Sequence, residues 1–513
     1  MQPMSENPLR TGLQTERTPA PCAFVIFGAS GDLTRRKLIP ALYNLSVSRL
    51  SPPGMSIVGF AISDLTTEKF RENMRAGTAE FSRRKPLEEA VWSDFASRLH
   101  YLTGGFEDPQ NFVRLREKLD EIDKTNGTRG NRIFYLAIPP SLFTMVNDNL
   151  AKAGLVSDPK DTSHFTRIIV EKPFGHDLAS GDALNADLHR VFDETQIFRI
   201  DHYLGKETVQ NLIAFRFGNA IFEPLWNREH VDHIQVTVAE DIGVEGRGKF
   251  YEEAGTTRDI VQNHLLQLVM VSCMEPPVAF EADAVRDEKV KVLRALKPIV
   301  GVEAAKALTV RGQYGPGNFA GQPVCAYRSE ENVSKTSNVE TFVAMKLEID
   351  NWRWAGVPIY IRAGKRLTKR STDISIHFKR VPHAMLSPKA PIEPDVLALR
   401  IQPDDGISLR FMGKVPGPTM TLRPVNMDFR YGTTFGGSNP EAYERLILDA
   451  MIGDPTLFAR SDEVSAAWKF ITPIHQAWAA SPAPEFPNYP AGEWGPQAAS
   501  DLIERDGRSW RRL

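Results

Sequence analysis

Residues 199–207 bring together four chemically reactive side chains. These are an acid, an imidazole, a phenol and an ammonium group, supplied by Asp201, His202, Tyr203 and Lys206. The apolar and basic residues at 197–200 alternate in a way that predicts the end of a strand. We therefore expect these side chains at the carboxyl edge of a sheet, where open α/β sheets bind ligands and where a lysine offers a point charge to a phosphate or carboxylate. A solvated loop of mixed charge is the alternative interpretation.

A second histidine, His264, follows a possible capping box at residues 256–259 on a predicted amphipathic helix. A lone histidine on such a face is commonly a core residue with satisfied hydrogen bonds, and Asp259 can serve as the helix cap. A basic cluster at 361–366 follows a predicted strand, with Arg370 shortly after it. An exposed, solvated turn would explain this cluster without any function.

The elements that must position these residues begin with a short apolar strand at 23–27, which runs into a glycine turn at 28–33 and then into a stretch with helical spacing. Glycines at such a turn let the backbone approach a pyrophosphate at a helix N-terminus. The spacing of Gly28 and Gly31 is Gly-x-x-Gly, which is less specific than the full GxGxxG fingerprint. A turn that merely needs a positive φ at one glycine is the alternative.

Three more apolar strands alternate with helical stretches in the first half of the chain, and they are predicted at 57–61, 133–138 and 165–170. This alternation predicts a parallel, doubly wound sheet. Lys172 follows the last of these strands, and we expect it at the same carboxyl edge of the sheet as Asp201. Asp64, after the second strand, is either the acid that binds the adenosine ribose of NAD or, as we favour, the N-cap of the next helix.

The pattern changes after Leu225, where apolar and polar residues alternate with a period of two in several segments. Such alternation predicts a broad antiparallel sheet. We therefore predict an α/β Rossmann-like dinucleotide-binding domain followed by an α+β domain with a large antiparallel sheet. The predicted boundaries are a disordered N-terminal tail at 1–20, the dinucleotide-binding domain at 21–200, and an α+β substrate-binding and oligomerisation domain at 201–513.

Composition limits the class of protein. Of the 513 residues, 42% are hydrophobic and 25% are charged, which is ordinary for globular domains. The formal net charge is −2, which gives no electrostatic reason to expect binding to nucleic acid or to an anionic membrane surface. Cys22, Cys273 and Cys325 lack CxxC spacing, so we expect neither a disulfide framework nor a metal site. The polar N-terminus and the lack of a long apolar run predict a soluble, cytoplasmic protein.

These motifs resemble those of the glucose-6-phosphate dehydrogenase family over about residues 20–513. The nonapeptide around His202 is highly specific, whereas the glycine turn alone is not. The matching stretches are 28–33, 171–175, 199–207, 258–259, 262–264, 351–358, 363–365, 427–431 and 494–496.

The resemblance implies oxidation of β-D-glucose 6-phosphate at C1 to 6-phospho-D-glucono-1,5-lactone with hydride transfer to NADP+, the first step of the oxidative pentose phosphate pathway. It makes His264 the base for the C1 hydroxyl proton, and Asp201 the acid that orients His264 and stabilises its imidazolium. The phosphate would be held by the 199–207 stretch and the sugar hydroxyls by acids and lysines elsewhere. The substrate-binding residues implied are Lys172, His202, Tyr203, Lys206, Glu240, Asp259, Lys365 and Arg370.

The resemblance also implies a dinucleotide site, formed by Gly28, Ser30, Gly31, Asp32, Leu33, Lys37, Ser63 and Lys172. The family commonly carries an arginine after the second strand that binds the 2′-phosphate of NADP, and Ile62 stands at that position here. Isoleucine offers no charge. We therefore expect NADP to be the cofactor with NAD also possible, unless Arg35, Arg36 or Lys37 takes over the missing contact.

Two other functions fit the same residues. One is a dehydrogenase of the same fold that prefers NAD or accepts other hexose phosphates. The other is a catalytically silent, redox-sensing member of the family, whose mark would be loss of the base or of its orienting acid; yet Asp201, His264 and Lys172 are all present. The resemblance to the family suggests a homodimer or homotetramer formed through the sheet domain. Glucose 6-phosphate is the expected ligand, and we expect no nucleic-acid or membrane partner.

Overall fold

The computed structural model of the protein describes residues 18–383, 385–386, 392–434 and 440–513. The predicted tail at 1–20 therefore lies outside the described residues except for its last three positions. The chain divides into two compact units. Unit 1 comprises the residues up to Glu171, Asp187–Ile200 and Tyr443–Leu457, and unit 2 comprises Lys172–Ala186, Asp201–Ala442 and Phe458–Leu513.

Unit 1 is built on a parallel sheet with the strand order β3-β2-β1-β4-β5-β6. Its strands are β1 Ala23–Phe27, β2 Ser56–Ala61, β3 Leu99–Thr103, β4 Arg132–Leu136, β5 Thr166–Val170 and β6 Ile197–Arg199. Strands β1, β2 and β4 are buried along their whole length, as strands covered on both faces must be. This doubly wound order confirms the predicted Rossmann-like domain.

Strand β3 is the member of this sheet that the sequence pattern does not predict. Only Leu99 among its five residues is buried, and the polar His100 and Thr103 obscure the apolar signal. The strand is added to the edge of the sheet by parallel pairing with β2.

Unit 2 is built on a larger sheet with the strand order β17-β16-β15-β14-β7-β13-β12-β8. Its strands are β7 Val231–Ala239, β8 Thr309–Gly312, β12 Phe342–Glu348, β13 Pro358–Gly364, β14 Ser371–Phe378, β15 Val396–Gln402, β16 Gly406–Lys414 and β17 Leu422–Arg430. Neighbours pair in antiparallel fashion, except that β7 and β13 run parallel. The predicted α+β domain with a large, mostly antiparallel sheet is therefore confirmed.

Two small sheets pair β10 with β11 and β9 with β18. Their strands are β9 Tyr314–Gly315, β10 Gly317–Phe319, β11 Gln322–Val324 and β18 Tyr489–Pro490.

The α-helices are numbered along the chain, and among the described residues none is long and apolar enough to cross a membrane. They are α1 Ile39–Val47, α2 Thr67–Phe81, α3 Glu89–Ser97, α4 Pro109–Asn126, α5 Phe143–Lys152, α6 Leu178–His189, α7 Glu207–Phe217, α8 Gly248–Thr256, α9 Leu266–Cys273, α10 Ala282–Arg294, α11 Val302–Leu308, α12 Tyr431–Thr434, α13 Ala442–Ile452, α14 Ser461–Ala479 and α15 Gln497–Glu504. Two π-helical segments, Thr34–Leu38 and Thr257–Leu265, precede α1 and α9.

Two helix starts differ from the prediction. Thr66, not Asp64, caps α2, because its Oγ1 accepts a hydrogen bond from the Lys69 N–H at 3.2 Å.

The predicted capping box at 256–259 is wrong as well. The turn before the π-helix is made by Gly255 at φ +61°, and its N-terminus is held by Glu340, whose Oε1 accepts from the Thr257 N–H and hydroxyl at 3.1 and 2.7 Å. Asp259 is therefore not a helix cap.

The predicted boundary at residue 200 is crossed by two segments. Residues 443–457 join unit 1, where Arg167 donates to the carbonyls of Ala450 and Met451 at 2.9 and 2.6 Å. Residues 172–186 join unit 2, where the Trp468 indole donates to the Phe174 carbonyl at 2.7 Å. A linear division of the chain does not capture these exchanges because they depend on contacts between residues far apart in sequence.

We expect Glu444→Ala to lower the free energy of unfolding by about 3 kcal/mol, since removing one partner of a buried ion pair leaves the other charge uncompensated. Glu444 is buried, receives two hydrogen bonds from Arg83 at 2.6 and 2.8 Å, and accepts from Asn44 at 3.0 Å. Glu80→Ala is the control, because the ion pair of Glu80 with Arg35 is exposed and should be worth less than about 1 kcal/mol. Urea unfolding of both variants measures the difference, and equal losses would contradict the expectation.

Candidate active site

The centre of unit 2 holds a buried acid–imidazole pair. His264 lies on the π-helix Thr257–Leu265, and its Nδ1 is 2.6 Å from Oδ1 of Asp201, which lies two residues after the end of β6. The Tyr203 N–H also donates to Asp201 Oδ1 at 3.0 Å, and the Leu204 N–H donates to the Asp201 carbonyl at 3.0 Å. Both side chains are almost fully buried, at 2% exposure for Asp201 and 3% for His264. The tight turn after β6 therefore aims the carboxylate at one ring nitrogen.

Burial and nearby cations decide the charge of this pair. Burial lowers the pKa of His264 well below its ordinary value, and the charges of Lys172 and Lys206 lower it further. Burial raises the pKa of Asp201, while the charges of His202, Lys172 and Lys289 and the Tyr203 N–H oppose that rise. In this geometry a neutral imidazole can donate its Nδ1 proton to the Asp201 carboxylate, which leaves Nε2 as the acceptor.

Two aromatic rings pack against His264. The Tyr203 ring stacks on it at 4.3 Å between centroids and 21° between planes, and the Tyr203 hydroxyl lies 3.3 Å from Thr372 Oγ1. The His202 ring meets it edge-on at 4.5 Å. Burial lowers the pKa of His202 well below its ordinary value, and His264 adds to the effect. Asp201, Tyr203 and His202 thus contact His264 on three sides: Asp201 binds its Nδ1, Tyr203 stacks on its ring and His202 meets the ring edge-on.

Two lysine–acid pairs belong to the same unit. Lys172 Nζ donates to the Asp259 carbonyl at 2.7 Å and to Asp259 Oδ1 at 3.0 Å, and Lys365 Nζ donates to Glu240 Oε2 at 2.6 Å. Glu240 and Lys365 meet because they leave the carboxyl ends of the parallel neighbours β7 and β13 in register. Although burial opposes it, the charges of Lys172 and Lys365 hold the pKa of Asp259 well below its ordinary value. These pairs present charged donors and acceptors of the kind that bind sugar hydroxyls.

Two cations converge on the side chain of Gln402 at the end of β15. Lys206 Nζ donates to Gln402 Oε1 at 2.6 Å, and Arg370 Nη2 reaches the same oxygen at 3.4 Å. Lys206 Nζ also lies 4.0 Å from the centre of the Tyr203 ring. Burial, together with the charge of Arg370, lowers the pKa of Lys206 to about 8. Two cations sharing one neutral acceptor form a site that an anion can occupy by displacing that acceptor.

Unit 1 carries the glycine turn between β1 and the π-helix Thr34–Leu38. Gly28 has φ +82°, and a Cβ there would lie 2.3 Å from the Ala137 carbonyl oxygen, so only glycine fits. The Gly31 N–H donates to the Gly28 carbonyl at 2.9 Å, and the Ser63 hydroxyl donates to Ser30 Oγ at 2.9 Å. Gly28, Ser30, Gly31 and Ala137 border a cavity of about 340 Å³. Asp32, Leu33 and Lys37 follow on the turn and first helix.

Ile62 lines the same cavity and is 72% exposed. The basic residues that could replace the missing arginine at position 62 form interactions of their own. Arg35 pairs with Glu80 at 2.7 Å, and Arg36 lies 3.5 Å from Asp32. Both pairs are exposed, so they are weak and can exchange for another anion.

Comparison with known proteins identifies the family of this chain. The model of the glucose-6-phosphate dehydrogenase NAD-binding domain matches residues 25–211, and that of the C-terminal domain matches residues 213–511. The chain belongs to the glucose-6-phosphate dehydrogenase family. It is an oxidoreductase with a nicotinamide dinucleotide-binding domain.

Relatives and solved structures agree with this family. The glucose-6-phosphate 1-dehydrogenase of Chlamydia pneumoniae is 49% identical over 507 residues, covering 98% of each chain, and a Mycobacterium bovis glucose-6-phosphate 1-dehydrogenase is 45% identical over 510 residues, covering 99% of this chain and 98% of the relative. A solved glucose-6-phosphate dehydrogenase in complex with glucose 6-phosphate has a TM-score of 0.87 at 36% identity, covering 97% of this chain and all of the other. The Mycobacterium avium enzyme has a TM-score of 0.80 at 38% identity, covering 96% and 99%.

The structure brings together in unit 2 the residues that the family resemblance named for substrate and catalysis. The hydrogen bonds and ring contacts above connect Asp201, His202, Tyr203 and His264, and they tie Lys206 to Arg370 through Gln402. Gln402 and Thr372 were missed by sequence reasoning. Each is a single polar residue on a strand, and nothing in its local sequence indicates that it contacts Lys206 or Tyr203.

One group among the described residues has the spacing of metal ligands. The ligand atoms of Asp201, His202 and His264 all lie within 4.8 Å of one another. Nδ1 of His264 is already engaged with Asp201. The expectation that no metal takes part remains a prediction.

Proposed function

We propose that the protein oxidises β-D-glucose 6-phosphate at C1 to 6-phospho-D-glucono-1,5-lactone, with NADP+ as hydride acceptor. The buried hydrogen bond between Asp201 and His264 carries this proposal, because C1 oxidation needs a neutral base fixed in one tautomer. The solved relative that holds glucose 6-phosphate supports the choice of substrate. Initial rates with this sugar phosphate, measured separately with NADP and NAD, test the proposal.

His264 Nε2 accepts the proton of the C1 hydroxyl in the proposed mechanism. The hydrogen bond from Nδ1 to Asp201 fixes the tautomer, and the carboxylate stabilises the imidazolium that forms. The lowered pKa of His264 keeps the ring neutral before the reaction, so the base is ready at neutral pH. The stacked Tyr203 ring keeps the imidazole in one plane.

Lys206, Arg370, His202 and Tyr203 bind the phosphate in this proposal. Lys206 exchanges the Gln402 oxygen for a phosphate oxygen, a charge-assisted hydrogen bond that is stronger than the neutral one it replaces.

The sugar hydroxyls are bound by the two lysine–acid pairs, Lys172 with Asp259 and Lys365 with Glu240. A contact from Lys172 to the nicotinamide ribose remains a prediction.

The glycine turn of unit 1 would hold the dinucleotide, which supplies the hydride acceptor when it is bound. The residue set fits this group, because the turn at Gly28 leaves no room for a side chain and borders a cavity beside Ser30 and Ser63. Ile62 at the edge of that cavity favours a second candidate function, a dehydrogenase that uses NAD about as well as NADP. A cytoplasmic location and a homodimer or homotetramer remain predictions.

We expect His264→Asn to lower kcat by at least about 10²-fold, the usual contribution of general base catalysis, while the KM for glucose 6-phosphate changes little. Asparagine keeps a hydrogen bond to Asp201 within reach but cannot take up the proton. Steady-state kinetics measures both constants. A variant with near-normal kcat would restore the interpretation of His264 as a core histidine.

Lys206→Ala should raise the KM for glucose 6-phosphate steeply and hardly change the slow oxidation of unphosphorylated glucose at high concentration. For the wild type, the KM should rise as pH increases through about 8, because the free lysine then loses the charge that binds the phosphate. Rates on both sugars, measured across this pH range, provide the test. An equal loss on both sugars would mean that Lys206 is structural or catalytic instead.

Ile62→Arg should lower the KM for NADP by about a factor of ten, since an arginine offers hydrogen bonds to a 2′-phosphate worth roughly 1.5–3 kcal/mol each. The KM for NAD should stay nearly constant because NAD has no 2′-phosphate. Kinetics with both cofactors in wild type and variant measures the change. If the wild type already discriminates strictly against NAD and the variant gains nothing, the first-helix cations bind the phosphate.

A further inference from the structure

A buried ion pair joins two helices of unit 2. Lys289 on α10 and Glu463 on α14 are 3.1 Å apart, and each side chain is only 1% exposed. Glu463 Oε1 also accepts a short hydrogen bond from Gln267 Nε2 on α9, one turn beyond His264. Apolar residues of similar volume would hold the helices as well as a buried ion pair does. Stability alone therefore does not explain this pair.

Glu463 of this pair and Asp201 line the same small cavity. The cavity measures about 20 Å³ and is lined by Asp201, Gln267 and Glu463 among other residues. Within the described part of the chain, three buried oxygens here make no hydrogen bond: Asp201 Oδ2, Gln267 Oε1 and Glu463 Oε2. A space of this size has room for one water molecule, and buried polar oxygens are the partners such a water binds. One water can thus join Asp201 to Glu463 on the side of Asp201 opposite His264.

The charge of Lys289 acts on Asp201. Besides Lys289 and Glu463, Asp201 and His264 face five charged or titratable groups, which are Lys172, His202, Tyr203, Lys206 and Asp259. Lys172 is paired with Asp259, and Lys206 would be neutralised by the phosphate of a bound substrate. Lys289 is a further cation that counteracts the effect of burial on Asp201, and it is itself buried against Glu463.

We propose that Lys289 and Glu463 are positioning residues of the dehydrogenase: with Gln267 and one buried water they hold Oδ2 of Asp201, and so keep Asp201 ionised and oriented toward His264. This inference rests on the proposed function, because it assumes that Asp201 and His264 transfer the proton. Neither Lys289 nor Glu463 touches the reacting atoms.

Lys289→Met tests the proposal. We expect kcat with glucose 6-phosphate and NADP to fall about tenfold, because Asp201 is then less fully ionised and stabilises the imidazolium of His264 less, while KM stays within about twofold. The acid limb of the kcat profile should move to higher pH, because the pair takes up a proton more readily once a nearby cation is removed. Lys289→Arg keeps the charge and should stay within about twofold of the wild type.

The matched control is Lys291→Met, two positions along α10, where the side chain is 65% exposed and pairs with Glu288. It should leave kcat, KM and the pH profile as in the wild type. If Lys289→Met fails to fold because Glu463 is left as an unpaired buried charge, the double variant K289M/E463Q removes both charges and decides the question. It should fold, with thermal unfolding near that of the wild type, and should show the loss of kcat at nearly constant KM.

A folded Lys289→Met or double variant with wild-type kcat would overturn the proposal. So would a kcat loss that Lys289→Arg fails to recover. The proposed function fails separately, if the wild-type protein itself does not oxidise glucose 6-phosphate.

Discussion

The hydrogen bond between Asp201 and His264 is the interaction on which the chemistry of unit 2 depends. Burying a carboxylate and an imidazole is unfavourable for each group alone, and their mutual contact at 2.6 Å offsets part of that cost. The contact requires the turn that begins at Asp201 and the helix that carries His264 to lie at hydrogen-bonding distance. The wider turn of the π-helix Thr257–Leu265 carries the histidine there, and π-turns of this kind are frequent at functional sites.

The cations around this pair are held by partners that a substrate can replace or join. Lys206 donates a hydrogen bond to the neutral oxygen of Gln402, whereas Lys172 and Lys365 form salt bridges with carboxylates. A neutral partner is given up more easily than a charged one, so the Gln402 site is suited to an incoming anion and the two salt bridges to uncharged hydroxyls. This arrangement keeps the charged side chains in place before the ligand arrives, which lowers the entropy lost on binding.

The dinucleotide turn of unit 1 is governed by a steric constraint rather than by charge. Gly28 adopts a positive φ beside the Ala137 carbonyl, and that contact excludes any side chain. The edge of the same cavity is apolar at Ile62. The turn therefore leaves the backbone open to the approach of a pyrophosphate, whereas Ile62 offers no charge to a 2′-phosphate.

The sequence by itself determined the apolar strands of the parallel sheet other than β3, the glycine turn and the candidate groups Asp201, His202, Lys206 and His264, because these follow from local patterns and from the resemblance. It did not determine which partner each group contacts. Glu340 lies 83 residues from Thr257, and Gln402 lies 196 residues from Lys206. Such contacts depend on strand register and helix packing, which arise only when distant segments fold together. For that reason only the tertiary structure decided the start of the π-helix, the partner of Lys206 and the buried pair behind Asp201.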